Sequence, residues 1–317
     1  MFVLLLLATT FHVESRPELG PPSIQLKTEI SNIAVVKLEK KSPNKLTFAL
    51  VKNIHNQATE HIHIRTTEQV SSALSVGESY VIGYIAWQVN KPNKEVLPRE
   101  GGAVLMSLPG AEPAIFKDVA EINDILAVDV EDSLSSPQTM LPLIKAGLAS
   151  DDFQIRNFFV TELITRKSFM QDPAIQVAIE ELILNGNVAW RIKHFILANE
   201  GLNTSQLNSK WFKQWAIDTL KYSSTQFDLN RSEPALIVQL IKKSEHFLAN
   251  EQSAVLKRWI NSNHMGVIES TLDALKMIDL DAAISIVNNR LQQTMIDDSM
   301  RITLKNYLKR LNNQKNK

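Results

Sequence analysis

The chain has no cysteine. Disulfides, thiolate nucleophiles, cysteine-based zinc sites and a lipid-modified N-terminal cysteine are excluded with it. Net charge is missing too, since 34 Lys and Arg balance 34 Asp and Glu. That leaves no global field to draw in a phosphate backbone, which argues against nucleic acid as a main partner. The hydrolase and nucleotide signatures are absent: no Gly-x-Ser-x-Gly elbow, no His-Glu-x-x-His, no phosphate-cradling glycine loop before a helix. Apolar runs are short. Phe2 to Phe11 has the length of a signal-peptide core and is too short to span a bilayer. Val13 and Ser15 hold the small-residue positions for cleavage after Ser15. The run lacks a preceding Lys or Arg, and a short buried strand is the alternative reading. With residues 1–15 as leader, a periplasmic or secreted location is expected, with no stable membrane insertion once the leader is removed.

What remains is long enough for two domains, and its 44% hydrophobic and 21% charged residues fit globular folding. The patterning changes near residue 130. Before it, alternating apolar runs read as strands, from Ile24 to Lys40 with a break at Ser31-Asn32, then Lys45 to Lys52, Glu60 to Thr66, Ser79 to Val89 and Ala103 to Ser107. Ser42-Pro43-Asn44 reads as a turn. Tyr80 to Trp87 is apolar on both faces, so it should be a central, covered strand, with Gly83 marking curvature or a close approach. About five such strands favour a small closed barrel. Ile33 to Trp87, with Phe48-Ala49-Leu50-Val51, Ile62-His63-Ile64-Arg65-Thr66 and Val76-Gly77-Glu78-Ser79-Tyr80, resembles the OB-type barrel of the netrin and tissue-metalloproteinase-inhibitor superfamily. The inhibitors of that superfamily chelate zinc through an N-terminal cysteine, and this chain has none to do so.

After the change, amphipathic helices follow one another across short polar breaks. Asp118–Val128 bridges, and helices are expected at Gln138–Leu148, Asp152–Arg166, Pro173–Leu184, Val188–Glu200, Ser205–Lys221, Glu233–Lys242, Glu251–Asn261, Met265–Ile278, Ala282–Gln293 and Ser299–Leu311. Ile155 to Thr161 aligns with Ile192 to Ala198. A helix pair at that period resembles a HEAT-like α-solenoid, with a plain helical bundle as the alternative. The fold class is therefore multidomain α+β: an OB-like β-barrel over 23–116, a bridging helix and linker over 117–136, and a HEAT-like helical repeat domain over 137–317. Each part is expected to fold on its own.

Chemistry is sparse. His61 and His63 alternate with Ile62 and Ile64 and face away from the core beside Arg65. Two imidazoles lack a third ligand, and Arg65 repels a cation, so neither metal nor cofactor is expected. Asp151-Asp152 and Asp297-Asp298 begin helices, where carboxylates cap. The aromatics carry the remaining signal. Ile155, Phe159 and Leu163 form a packing stripe that Phe158 leaves, and Trp190 and Leu197 leave the stripe of Ile192, Phe195 and Ile196. Trp211 and Trp215 share a face with Leu207. Such residues pack between repeats, or they anchor an extended partner in a concave groove. On the second reading Phe158, Trp190, Leu197, Trp211 and Trp215 bind a protein or peptide. The expected function is non-catalytic interaction outside the cytoplasm. An inhibitor-like module acting through barrel loops is the alternative, and an enzyme without a recognisable motif comes third.

Overall fold

The computed structural model describes residues 20–86, 102–228, 233–248, 253–293, 296 and 298–315; the leader and Trp87 lie outside the described residues. The first element corrects the sequence reading. Ile24 does not open a strand but lies in a single helical turn, α1 (Pro22–Gln25). Pro22 at the first helical position presets φ, and Ser31 closes the following turn by donating from Oγ to the Leu26 carbonyl at 2.6 Å. A four-residue apolar alternation does not separate a strand from one turn of helix.

Period-two alternation then builds a barrel. The strands are β1 (Ser31–Ser42), β2 (Lys45–His55), β3 (His61–Arg65), β4 (Ser79–Ala86) and β5 (Ala103–Leu105), and α2 (Glu68–Ala73) lies between β3 and β4. They close in the order β1-β2-β3-β5-β4 and back to β1; all neighbours are antiparallel except β3 and β5. Pro43 and Asn44 form the tight β1–β2 connection, as the turn signal implies. A further strand, β6 (Ile115–Lys117), joins β4 beside β5 and has no counterpart in the sequence reading. Ala34, Val36, Leu38, Leu46, Phe48, Ile62, Ile64, Tyr80, Ile82 and Tyr84 fill the interior.

The helices are α3 (Ala120–Ala127), α4 (Val130–Ser135), α5 (Pro137–Leu148), α6 (Phe153–Ile164), α7 (Pro173–Leu184), α8 (Trp190–Ala198), α9 (Thr204–Leu207), α10 (Lys210–Tyr222), α11 (Glu233–Leu248), α12 (Ser253–Arg258), α13 (Met265–Ile278), α14 (Leu280–Leu291) and α15 (Asp298–Lys315). Asp152 and Asp172 cap α6 and α7, each accepting from two backbone amides. Burial opposes ionisation of Asp152, but Lys117 and the amides of Ile155 and Gln154 outweigh it and hold the carboxyl below its usual range. The expected helix Ser205–Lys221 is two helices, because Ser209 caps a new start by accepting from Phe212 N at 3.2 Å. Helix α6 packs on α8, α8 on α11 and α11 on α13, while α5 contacts both α6 and α7.

One apolar core runs from the outer barrel wall into the helices. Ile33, Val35, Val81 and Phe116 share it with Phe158, Phe159 and the buried faces of α8, α11 and α13. The Phe116 and Phe158 rings meet edge to face at 5.1 Å. Burial of each such ring contributes about 1.5–3 kcal/mol. The approach is close enough that a Cβ on Gly83 would sit 3.0 Å from Leu26 Cδ2, which identifies the close approach expected there. Gly110 has φ +83° and would put a Cβ 2.5 Å from Thr161 Oγ1 on α6.

A polar seam crosses the same junction. Glu162, fully buried on α6, accepts from the Ser23 amide and from Arg166 Nε at 3.1 Å. Arg166 also donates to the Ser133 carbonyl and, at 2.7 Å, to Ser133 Oγ. Burial pushes the Glu162 carboxyl up, against the pull of Arg166 and the Ser23 amide. Gln154 Nε2 donates to the Pro113 carbonyl at 2.9 Å, and Lys117 pairs with Asp152 at 3.2 Å.

Candidate functional site

The five aromatic and aliphatic positions singled out from the sequence have different fates. Phe158 is 0% exposed and Leu197 1% exposed. Neither offers a surface to a partner, so their candidacy as anchors is corrected. Phe158 leaves the α6 stripe because the barrel forms a second wall there, and its ring meets those of Phe116 and Phe159 edge to face at 5.1 and 5.5 Å. Trp211 and Trp215 are half-buried and flank Phe212, with ring centroids at 5.8 and 5.9 Å. Leu207 belongs to the separate helix α9. Trp190, the first residue of α8, is half-buried and lines a cavity.

That cavity measures about 170 Å³. Trp190 forms one side, Glu233 at the start of α11 another, and Ser223, Ser224, Gln226, Phe227 and Asp228 from the segment after α10 complete it. Nothing in the sequence reading pointed to this segment. Its shape comes from residues more than thirty positions away. Asn263 Oδ1 accepts from the Phe227 amide at 2.9 Å while its Nδ2 donates to the Phe227 carbonyl at 2.8 Å. Gln226 Nε2 donates to the Asn261 carbonyl at 2.7 Å. Arg258 closes the end of α10, donating to the carbonyls of Leu220 at 2.7 Å, Ser223 at 2.9 Å and Lys221. A cation at a helix C-terminus meets the negative end of the macrodipole. Trp259, itself fully buried, donates from Nε1 to the Leu220 carbonyl at 3.0 Å and stacks on Phe227 with rings 6.0 Å apart and 9° from parallel. The cavity wall is therefore held before any ligand arrives, which lowers the ordering cost of binding.

One turn along α8, Lys193 is 6% exposed and stands over the Trp215 ring with its Nζ 5.8 Å from the centroid. No carboxylate among the described residues pairs with it, and burial pushes the amine down to about 8. The ring face opposes part of that cost by cation–π attraction. Burial likewise lowers the neighbouring His194. Thus α8 carries Trp190 toward the cavity and Lys193 toward α10, and it is tied to the barrel side by Arg191 pairing with Glu112 at 3.2 Å.

The histidines behave as strand alternation implies. His61 faces outward and pairs with Glu39 at 3.4 Å, and His63 lies 3.2 Å from Thr47 Oγ1. Among the described residues no three histidine or carboxylate side chains converge on a point that would hold a metal ion. No helix among the described residues is long and apolar enough to cross a membrane. The chain matches no family model, no curated protein and no solved structure.

Proposed function

We propose that the chain is a non-catalytic binding protein that works outside the cytoplasm and holds a protein or peptide through its helical part. The observation that carries this reading is the prebuilt cavity between Trp190 and Phe227. At about 170 Å³ it is smaller than the ~300–1,000 Å³ typical of small-molecule and cofactor pockets. It suits one large side chain of a partner, with aromatic walls of the kind that dominate interface anchoring. The succession α6, α8, α11, α13, each packed on the next, supports the HEAT-like reading of the helices. The strand order of the barrel and the helix between β3 and β4 support the OB-like one, and with it the netrin-like resemblance. The extracytoplasmic reading rests on the Phe2–Phe11 leader, and mass spectrometry of the native protein should find a mature chain beginning at Arg16.

Selection of peptides from a random library on the full-length chain tests the cavity. Enriched peptides should share one large side chain, and they should bind the Trp190→Ala variant roughly tenfold or more weakly. Peptides that bind this variant as well as the parent would remove the cavity as the site.

A further inference from the structure

The outer wall of the barrel has a second side that the helices do not cover. It is formed by the Lys37–Ser42 half of β1, by the Lys45–Ala49 part of β2 and by β3; the far end of β2, at Ile54, packs on the shared core instead. Residues directly opposite on antiparallel strands point to the same face, so the register fixes what this side presents. Lys37, Ala49 and His61 form one row across the three strands. Lys40, Thr47 and His63 form the next, and Ser42, Lys45 and Arg65 a third at the hairpin end. In the first two rows the small residues Ala49 and Thr47, both half-buried, make a floor along β2. Longer side chains rise on both flanks, with lysines on β1 and His61, His63 and Arg65 on β3. The result is a shallow trough with β2 as its bed.

The trough is positive and not neutralised. Lys37, Lys40, Lys45 and Arg65 are exposed, and among the described residues none of their side chains has an ion-pair or hydrogen-bond partner. A carboxylate that does reach this face, Glu39 at the bulge between Leu38 and Lys40, pairs with His61. Two other exposed cations of the barrel do find partners: Lys117 pairs with Asp152, and Lys41 donates to the Leu74 carbonyl at 2.6 Å.

We propose that this trough is a binding site for an extended acidic peptide segment lying along β2. The spacing supports this occupant. Rows on an antiparallel sheet repeat every two residues, about 6.8 Å, which is also the spacing of alternate side chains along an extended peptide. Carboxylates on one edge of such a peptide therefore meet Lys37 and Lys40 in register. Those on its other edge meet the β3 flank, about 10 Å away across two inter-strand gaps. A single-stranded nucleic acid fits less well, because such ligands stack bases on aromatic rings and the three rows hold none beyond the imidazoles of His61 and His63. The site is separate from the Trp190 cavity, so either can fail without the other.

The test uses the full-length chain, fluorescein-labelled hexaglutamate and, as a competing class, fluorescein-labelled oligothymidylate. Anisotropy at low salt should show hexaglutamate binding that weakens as salt is raised. The paired change Lys37→Glu and Arg65→Glu should weaken it roughly tenfold or more. Trp190→Ala should leave it unchanged. Chemical-shift changes in the parent should centre on Thr47 and Ala49. Equal binding by the charge-reversed variant, no binding at low salt, or tighter binding of oligothymidylate than of hexaglutamate would each overturn the proposal. The charge-reversed variant changes only exposed side chains, and its circular-dichroism spectrum and melting curve check that it folds.

Discussion

Strand β1 passes through two environments on a single face. Ile33 and Val35 point outward into the core shared with the helices, and Lys37, the next residue on that face, is exposed. On the opposite, inward face nothing changes: Ala34, Val36 and Leu38 are all buried in the barrel. The comparison shows how the edge of a tertiary interface is written in a strand. The inward alternation says that a barrel forms, and the outward alternation says where another layer covers it. Strand β4, apolar on both faces, is covered from Tyr80 to Tyr84, with Tyr80, Ile82 and Tyr84 inside and Val81 and Ile85 against the core shared with the helices.

The largest effect should come from opening the covered side. Phe158→Ala removes a ring packed against Phe116 and Phe159 and should cost about 3–5 kcal/mol in chemical denaturation, through lost burial and the cavity left behind. A loss below about 1 kcal/mol would mean that the junction contributes little.

A smaller effect, of opposite sign, belongs to Lys193. Its folded-state amine is lowered to about 8 from 10.5, so the fold disfavours the charged form. Between those two values the unfolded chain still binds a proton that the folded chain has released, so stability contributed at this site rises with pH across that window. Below pH 8 the cost is present in full. Lys193→Met should stabilise the protein by about 1–2 kcal/mol at neutral pH, less than the shift alone implies because the Trp215 cation–π contact is lost with the charge. The advantage of the variant should shrink from pH 8 upward. Melting curves across that range check both sign and window, and a less stable variant at pH 7 would contradict the account.

The smallest effect is expected on the uncovered side. Reversing Lys37 and Arg65 to glutamate should change stability by no more than about 0.5 kcal/mol, since neither side chain has a partner to lose among the described residues. Marked destabilisation would show that this wall is not the open one.

Much of this contrast could be read in the sequence, where neighbours along the chain decide it. The Ser42-Pro43-Asn44 turn, the doubly apolar β4 and the helix Pro173–Leu184 all follow from local pattern, and all three stand in the structure. What could not be read depends on partners distant in sequence. A helical wheel places Phe158 off the packing stripe, but only the approach of Phe116 from β6 makes that side interior. Phe227 looks like a loop residue until Asn263 and Trp259 fix it as a cavity wall. Buried charges are equally hidden, because nothing in the local pattern marks the i, i+4 pair Glu162 and Arg166 as the fully and nearly fully buried pair that it is. Charge summed over the chain concealed the most: 34 of each sign cancel, while the β1–β2–β3 face gathers Lys37, Lys40, Lys45 and Arg65 with no partner among the described residues.

Hydrogen exchange followed by mass spectrometry on full-length Phe158→Ala tests most directly whether barrel and helices share one core. The account predicts that peptides covering β4 and the Ile33–Val35 part of β1 lose protection together with those covering α6, by a common factor. Loss confined to α6, with β4 as protected as in the parent, would contradict it.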